Sequence, residues 1–522
     1  MSKSSPLTRR AFVALATGSA LYASAPHVFS STTGKVSFPD YPFKLGVASG
    51  DPTADGFVLW TRLAPSPFDD DLLPPIPIEV AWEIARDPRM KHVVRRGTCN
   101  AKPDFAHSVH VEVFGLDAAT EYFYRFHCSG ETSPVGRTKT LISAGAPLSQ
   151  LRFAQVCCQS IHDGYYAGYR DVAEQEIDFV LHLGDYIYES DYIADVRRIP
   201  IPIAKTLRDY RALHARYKLD QNLQRAHQHA PWLSIWDDHE VTDDHGGLYS
   251  EESTDPKINL QRKLAGYRAY YEHMPLRLRV APQDDNFQLY QRSLFGDLMQ
   301  LDLLDFRQYR DNPACLQKDG YKQRYVSKAS CPDAYDQTRT GLGWQQEKWF
   351  HKGFGYANAT WNVFAQTTVF APFDLGDQPG IQGQQDGWEG YAASRQRILD
   401  TVANRQLNNT VSLGGDIHAY YAGVVHRDPY DFDTAPLVNE LVCTSLTSGG
   451  GGIERLENTQ QLLAQYPGNP YFENRFRGYI LNTVTHNLWS AECRNVVNIL
   501  DRDSTVKTAK ELSIEAGNIA VR

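Results

Sequence analysis

The sequence predicts an α/β (α+β) protein whose N-terminal part is a small β-sandwich domain. Three observations lead to this fold class. Short segments with alternating apolar and polar residues fill residues 43–141, and apolar runs alternate with helical stretches after Pro147. The chain has 522 residues, which is long for a single domain. We therefore expect at least two domains.

The N-terminal domain is predicted over residues 40–145 as an immunoglobulin- or fibronectin-like β-sandwich. Apolar and polar residues alternate in residues 56–61, 78–83 and 121–126, and this period-two pattern predicts half-buried strands. Turn residues separate such segments roughly every ten positions, a spacing typical of small sandwiches. Residues 143–147, Ser-Ala-Gly-Ala-Pro, predict a linker.

The second domain, predicted over residues 150–505, alternates strands with helices. The predicted strands are residues 151–156, 179–183, 232–236, 298–304, 361–369 and 410–413, and predicted helices include residues 207–227, 257–273 and 395–403. Strands that look buried and are separated by helices predict a parallel sheet. In such sheets ligands bind beyond the carboxyl ends of the strands.

The N-terminus predicts export. Arg9 and Arg10 precede an apolar stretch from about residue 11 to residue 23, and small residues follow it, which is the pattern of a twin-arginine signal peptide over residues 1–30. A membrane anchor is the alternative, but this stretch is shorter than the ~20 apolar residues that span a bilayer. We expect a periplasmic, secreted or wall-associated protein that uses the twin-arginine machinery and has no transmembrane segment. A net charge of −9 and no dense basic run after the first ten residues argue against nucleic-acid binding.

Ionisable residues follow four of the predicted strands. In chain order they are Cys158, then Asp185 and Tyr188, then Asp237, Asp238 and His239, and finally Asp416 and His418. Each side chain type binds cations in its deprotonated or neutral form. Carboxylates that converge in one cleft repel each other unless a positive charge lies among them. The sequence therefore predicts a metal site at this edge of the sheet, with Asp237 and Asp244 as further candidate ligands.

Each motif also has an ordinary explanation when taken alone. Asp185 could cap the turn after Gly184, and Asp416 and His418 could form a surface pair. Residues 236–240, Trp-Asp-Asp-His-Glu, are harder to explain in this way because four ionisable side chains at a strand end all need partners. The three motifs together favour a metal site.

These motifs resemble those of the alkaline phosphatase D (PhoD-like) family, which belongs to the calcineurin-like metallophosphatases. The resemblance is carried by Cys158-Gln159 and by residues 182–189, 236–241 and 415–418, and it extends to residues 46–62 of the N-terminal part. It implies that residues 150–505 form a metallophosphatase catalytic domain, a two-sheet β-sandwich flanked by helices.

The resemblance also implies one ferric ion and one or two calcium ions. The implied iron ligands are Cys158, Asp185, Tyr188 and Asp416. Asp185 would bridge to a calcium site that also takes Asp238 and His418. His239 would lie near the leaving oxygen as a catalytic residue. Asp243 and Asp244 stand where the family usually has asparagines, which leaves a further calcium ion open.

Such an enzyme would be a secreted hydrolase of phosphomonoesters and phosphodiesters that uses water activated by metal ions. A phosphodiesterase or phospholipase D that acts on cell-envelope phosphodiesters is the main alternative, because the same metal chemistry serves both ester classes. A non-catalytic surface-binding protein and a redox protein are weaker alternatives, since the ligand set is intact and no haem, flavin or iron–sulfur motif is present. The sequence leaves the physiological substrate and the oligomeric state open.

The chain has eight cysteines, and an oxidising destination makes disulfides plausible. Cys315 and Cys331 lie in one polar stretch and are the best predicted pair. Pairing of Cys99 with Cys128, and of Cys443 with Cys493, follows only by elimination. Cys157 and Cys158 are adjacent on a strand, so at most one of them faces the site.

Overall fold

The computed structural model describes residues 36–69, 71–190, 196–197, 203–281, 287–372, 383–450, 453–464 and 470–522. The predicted signal peptide, residues 1–30, lies outside the described residues. Within the described ranges, no helix is both long enough and apolar enough to span a bilayer.

Strands make up most of the regular structure. In chain order the strands are β1 Val47–Thr53, β2 Gly56–Arg62, β3 Ile78–Ala85, β4 Val93–Ala101, β5 Ser108–Val113, β6 Glu121–Cys128, β7 Glu131–Thr132, β8 Gly136–Lys139, β9 Leu151–Val156, β10 Phe179–Leu183, β11 Trp232–Ile235, β12 Gln291–Phe295, β13 Met299–Leu303, β14 Tyr325–Val326, β15 Trp361–Ala365, β16 Gly383–Gln384, β17 Thr410–Gly414, β18 Tyr420–Asp428, β19 Asp431–Val442, β20 Tyr471–Glu473, β21 Arg477–Val484, β22 Leu488–Val496 and β23 Val506–Glu515. The α-helices are α1 Ala167–Glu174, α2 Leu207–Lys218, α3 Gln221–His229, α4 Pro256–His273, α5 Trp344–Gly353, α6 Ala392–Asn404 and α7 Ile453–Leu463. The predicted mixed α/β class is confirmed.

Two large sheets organise the chain. The nine-stranded sheet has the order β23-β22-β21-β9-β10-β11-β1-β2-β5, and the seven-stranded sheet has the order β12-β13-β15-β17-β19-β18-β20. Strands β9, β10, β11 and β1 are parallel neighbours in the first sheet. Strands β13, β15, β17 and β19 are parallel neighbours in the second. Each sheet therefore has a group of parallel strands whose carboxyl ends share an edge.

One hydrophobic core contains residues from both sheets. It includes Val156 and Leu181 of the nine-stranded sheet together with Val363 and Leu413 of the seven-stranded sheet. The buried side-chain amide of Gln155 donates hydrogen bonds to the carbonyl oxygens of Gly414, at 2.9 Å, and Leu441, at 3.2 Å. Apolar packing and hydrogen bonding thus hold the two sheets against each other, with their parallel strands close together.

Helices cover the outer faces of both sheets. Side chains of α1 to α4, such as Tyr169, Leu213 and Tyr267, belong to the hydrophobic core that contains residues from both sheets. Phe350 of α5 and Ile398 of α6 pack with Phe364 in a separate cluster on the seven-stranded sheet. These helices shield sheets whose central strands are buried on both faces, as parallel sheets require.

The predicted helix over residues 207–227 is two helices in the structure. Helix α2 ends at Lys218, and the side chain of Asp220 accepts hydrogen bonds from the first backbone N–H groups of α3. An N-cap of this kind starts a new helix because it satisfies donors that have no partner within the helix. The predicted strands at residues 151–156 and 179–183 are confirmed as β9 and β10.

The N-terminal strands divide between two sheets. Strands β1, β2 and β5 belong to the nine-stranded sheet, whereas β3, β4, β6 and β7 form a separate sheet to which β8 is added through β6. Strand pairing therefore crosses the predicted linker at residues 143–147. The domain boundaries at residues 40–145 and 150–505 stay predictions.

The structure contains a disulfide between Cys315 and Cys331, the predicted pair. The other two suggested pairings, Cys99 with Cys128 and Cys443 with Cys493, are wrong, because all four thiols are free. Cys99 lies on β4 and Cys128 on β6, and these two strands flank β3 on opposite sides. The Cys443 thiol lies instead 3.2 Å from that of Cys157.

Candidate metal centre

Four of the predicted ligands lie at strand ends in an unusual backbone conformation. Cys158, Asp185, Asp416 and His418 have φ values between 53° and 66°, a left-handed region that costs a non-glycine residue about 1–3 kcal/mol. They follow β9, β10 and β17, the parallel strands of both sheets. Strain concentrated at converging strand ends is typical of a functional site.

Gly184 brings the Asp185 turn against the end of β11. Its φ is +88°, and a Cβ atom at this position would lie 2.4 Å from the Cβ of Asp237, so no larger residue fits. The buried carboxylate of Glu240 then accepts hydrogen bonds from the backbone N–H groups of Asp185, Tyr186 and Asp237, at 2.7 Å for the last. Glu240 thus fixes the two strand ends relative to each other.

A first group of potential ligands consists of Cys158, Asp185 and His418. Their ligand atoms all lie within 4.8 Å of one another. The Tyr188 hydroxyl joins them, at 2.9 Å from Oδ2 of Asp185 and 3.2 Å from Nε2 of His418. Ser448 supports this hydroxyl from outside the group, at an Oγ–Oη distance of 2.7 Å. A thiol, a carboxyl group, a phenol and an imidazole therefore lie close together.

The imidazole of His418 is held by the backbone. Its Nδ1 is hydrogen bonded to the carbonyl oxygen of Gly449, so Nδ1 carries a proton, and Nε2 is the ring nitrogen that faces Tyr188. The guanidinium of Arg477 donates to the carbonyl oxygen of His418 at 2.8 Å. Such outer contacts orient a metal-binding histidine.

A second group consists of Asp185, Asp238 and His239, whose ligand atoms also lie within 4.8 Å of one another. Asp185 belongs to both groups, so its carboxylate lies between two potential cation positions. Nδ1 of His239 lies 2.8 Å from the carboxylate of Glu189, which is fully buried. This contact fixes the His239 ring, which packs against that of Tyr188 at a centroid distance of 4.1 Å.

The protein's own charges leave this centre short of positive charge. Burial, together with the nearby carboxyls of Asp238 and Asp237, raises the pKa of Asp185 well above its ordinary value. Burial and the neighbouring Cys157 thiol likewise raise the pKa of Cys158. Oδ1 of Asp185 and Oδ1 of Asp238 are buried and have no hydrogen-bond partner among the described residues, although Oδ1 of Asp238 lies 3.5 Å from Nη2 of Arg307. A multivalent cation would satisfy both oxygens and stabilise the thiolate, so the residues present fit bound metal ions.

Comparisons with known proteins agree with this geometry. The family model of the PhoD-like phosphatase matches residues 153–493, and that of the PhoD-like phosphatase N-terminal domain matches residues 29–142. The chain belongs to the PhoD-like phosphatase family. It is 41% identical over 478 residues to alkaline phosphatase D of Bacillus subtilis (strain 168), which covers 90% of this chain and 80% of that protein. A solved structure of PhoD superposes with a TM-score of 0.87 at 38% identity, covering 93% of each chain.

Family membership makes this protein an alkaline phosphatase D homologue and a phosphoric ester hydrolase. The residues that the PhoD-like phosphatase family model matches, 153–493, include the candidate ligands. The two groups around Asp185 provide the metal-binding capacity that such an enzyme needs.

Asp416, an implied iron ligand in the PhoD-like resemblance, lies beside the first group rather than in it. No group of potential ligands among the described residues includes Asp416. Its Oδ2 accepts a hydrogen bond from Oγ1 of Thr368 at 3.0 Å. Burial and the nearby Asp237 raise its pKa well above the ordinary value. The Asp416 carboxyl is therefore part of the same acidic region, while His418 belongs to the group with Cys158 and Asp185.

The two further candidate ligands each face a side-chain cation. The Asp237 carboxylate contacts Nε of Arg307 and accepts a hydrogen bond from Oγ1 of Thr367 at 2.7 Å. The Asp244 carboxylate contacts Nζ of Lys322. A side-chain cation thus lies beside each of these carboxylates, and their assignment as metal ligands stays a prediction.

Sequence reasoning missed the cations of this region and the carboxylate that pairs with two of them. They are Arg307, Arg310, Lys322 and Asp386. Arg307 follows β13, a parallel strand of the seven-stranded sheet, so the strand-end rule that found the other residues would have found it too. Lys322 and Asp386 lie in irregular segments, where no periodic pattern marks them.

Proposed function

We propose that this PhoD-like protein is an exported phosphohydrolase that binds one ferric ion and calcium, and that it hydrolyses phosphomonoesters and phosphodiesters. The observation that carries the proposal is the shared position of Asp185 in the Cys158–Asp185–His418 and Asp185–Asp238–His239 groups. A carboxylate common to two groups is the expected bridge between two cations. The thiol and phenol of the first group suit a ferric ion, whereas the oxygen ligands of the second suit calcium.

When bound, the cations would supply Lewis acidity that activates water and neutralises the phosphate. The chain's own residues hold this arrangement. Glu240 fixes the turn that presents Asp185, and Gly449 and Arg477 orient His418. Because these contacts involve backbone groups and buried side chains, the ligand positions are preorganised before substrate binds.

His239 is the candidate proton donor to the leaving oxygen. Burial alone would lower its pKa, but the carboxylates of Asp238, Asp185 and Glu189 raise it well above the ordinary value. These carboxylates favour the protonated form of the ring, which is the form that can donate a proton. Glu189 holds Nδ1, which leaves the Nε2 proton for transfer.

Replacing His239 tests this role. We expect His239→Gln to lower kcat for an alkyl phosphate by about 10²–10⁴-fold, the usual contribution of general acid catalysis. The loss should be much smaller for p-nitrophenyl phosphate, because p-nitrophenolate leaves without a proton. An equal loss for both substrates would show that His239 does not donate a proton and serves the metal site instead.

Cysteine replacement tests the metal centre itself. Cys158→Ser should abolish both iron binding and turnover, since a hydroxyl is a poor substitute for an anionic thiolate ligand. Cys99→Ser, on a strand of the separate N-terminal sheet, is the matched control and should retain both. Metal analysis and hydrolysis of p-nitrophenyl phosphate give the two measurements. Full iron content and activity in Cys158→Ser would refute the proposal.

The charges around the site support acceptance of diesters. The cations Arg307, Arg310 and Lys322 are each paired with carboxylates, so they are poorly placed to favour the extra negative charge of a monoester. We expect bis-p-nitrophenyl phosphate and p-nitrophenyl phosphate both to be hydrolysed. A rate with the diester below detection would restrict the proposal to monoesters.

A further inference from the structure

A third group of carboxylates lies beside the metal centre and contains Asp238, Asp244 and Asp386. Their ligand atoms lie within 4.8 Å of one another, a separation that would suit another calcium ion. However, Nζ of Lys322 contacts the Asp244 carboxylate and lies 2.6 Å from Oε1 of Glu251. Lys322 is almost fully buried, with 3% of its surface exposed. Its ammonium group therefore lies at this acidic group rather than in solvent.

Two arginines complete the charge balance of the group. Nη1 of Arg307 and Nη2 of Arg310 each lie 2.6 Å from an oxygen of Asp386. Counted with Lys322, three side-chain cations thus contact the carboxylates of this region, and Arg307 also contacts Asp237. A divalent cation placed there would be repelled by the cations and would have to displace contacts that the carboxylates already make.

The position of Lys322 is built by the fold. It lies within the loop that the Cys315–Cys331 disulfide closes, and it forms an antiparallel bridge with Leu316. Its backbone N–H donates to the Tyr249 hydroxyl at 2.9 Å. A lysine on an unconstrained loop would lose much conformational entropy on pairing with a carboxylate. The disulfide and these contacts restrict the backbone of this loop, so that the entropy cost for Lys322 is smaller.

We propose that the Lys322 ammonium is the resident cation of the Asp238–Asp244–Asp386 group, in the place of a further calcium ion. The chain would then bind a single calcium beside the iron. The inference rests on the proposed metal-dependent function at one point: Asp238 belongs both to this group and to the proposed metal centre.

Calcium counting on the full-length protein tests the proposal. Equilibrium dialysis at millimolar calcium should show that Lys322→Met binds one more calcium ion per chain than the wild type. Lys322→Arg, which keeps the charge, and Lys318→Met, an exposed lysine of the same loop, should both match the wild type. An equal calcium count in Lys322→Met and the wild type would overturn the proposal.

A second measurement does not depend on folding of the variant. Crystals of the wild-type protein grown in calcium should show no anomalous peak between Asp238, Asp244 and Asp386, and a calcium peak there would overturn the proposal. Failure of the proposed function looks different: the wild type would lack iron and turnover, while the difference in calcium count between wild type and Lys322→Met would still be measurable.

Discussion

The acidic residues of the site form two regions that share Asp238 but differ in what neutralises them. Around Asp185 the chain supplies His239 as the nearby positive group, and Oδ1 of Asp185 has no hydrogen-bond partner among the described residues. Around Asp386, Arg307 and Arg310 pair with both carboxylate oxygens. Burial opposes ionisation of Asp386, but these arginines and Lys322 hold its pKa well below the ordinary value.

This difference separates a binding site from a structural network. Buried carboxylates are stable only with compensating charge. Where the chain provides that charge, the carboxylates hold the fold together. Where it does not, the protein depends on an ion from solution. The region around Asp185 is therefore expected to respond to metals, and the region around Asp386 is not.

The largest effect should come from removing the shared ligand. Asp185→Asn should lower turnover of p-nitrophenyl phosphate by more than about 10³-fold, since both cation positions lose an anionic ligand. The metal-stripped variant should melt at a higher temperature than the stripped wild type, because an uncompensated buried carboxylate is gone. Retained activity and full metal content in Asp185→Asn would contradict the distinction between the Asp185 region and the Asp386 region.

A change in the compensated region should affect stability instead. Asp386→Asn removes the carboxylate that pairs with Arg310 and one of the carboxylates that Arg307 contacts, and breaking a buried ion pair in this way costs about 3–5 kcal/mol. Urea denaturation measures the loss, and the exposed Asp433→Asn serves as control. We expect the iron content to stay unchanged. Loss of iron with little loss of stability would mean that Asp386 belongs to the metal centre.

The smallest effect is the pH dependence of the metal-stripped protein. The pKa values of Asp185 and Asp416 are raised in the folded state, so these groups do not destabilise the fold below the unfolded carboxyl pKa of about 4. Their cost grows as pH rises from there towards the raised pKa values, and the stripped protein should become less stable over that window.

Melting temperatures between pH 4 and pH 8, with and without chelator, check this prediction. The melting temperature of metal-stripped Asp185→Asn should fall less with rising pH than that of the stripped wild type. This difference isolates the contribution of Asp185 from that of the other titrating groups. The metal-loaded protein should show the opposite trend, because cation binding requires deprotonated ligands. Identical profiles for the stripped wild type and Asp185→Asn would contradict the assignment of Asp185 as an uncompensated carboxylate.

Much of the catalytic region could be predicted from local patterns. The apolar runs at residues 151–156 and 179–183 are strands with those bounds, and the residues that follow them converge as expected. The prediction of one helix over residues 207–227 was wrong at Asp220. The apolar periodicity continues across both helices, but the Asp220 side chain caps the start of a second helix.

The partners of the predicted residues were harder to find. Arg307, Asp386 and Lys322 come from segments far apart in the chain, and their types alone are common on protein surfaces. Only the packed structure shows that they are buried and paired. The same holds for the Cys157 thiol, whose neighbour Cys443 directly follows β19 of the other sheet.

The sequence by itself determined the fold class, the strands that end at the site and the residue types that could bind a cation, because periodicity and side-chain chemistry are local properties. The tertiary structure decided which carboxylates are neutralised by the chain and which are left for a metal ion. Charge compensation depends on distance and burial, and both arise only when segments 70 or more residues apart pack together.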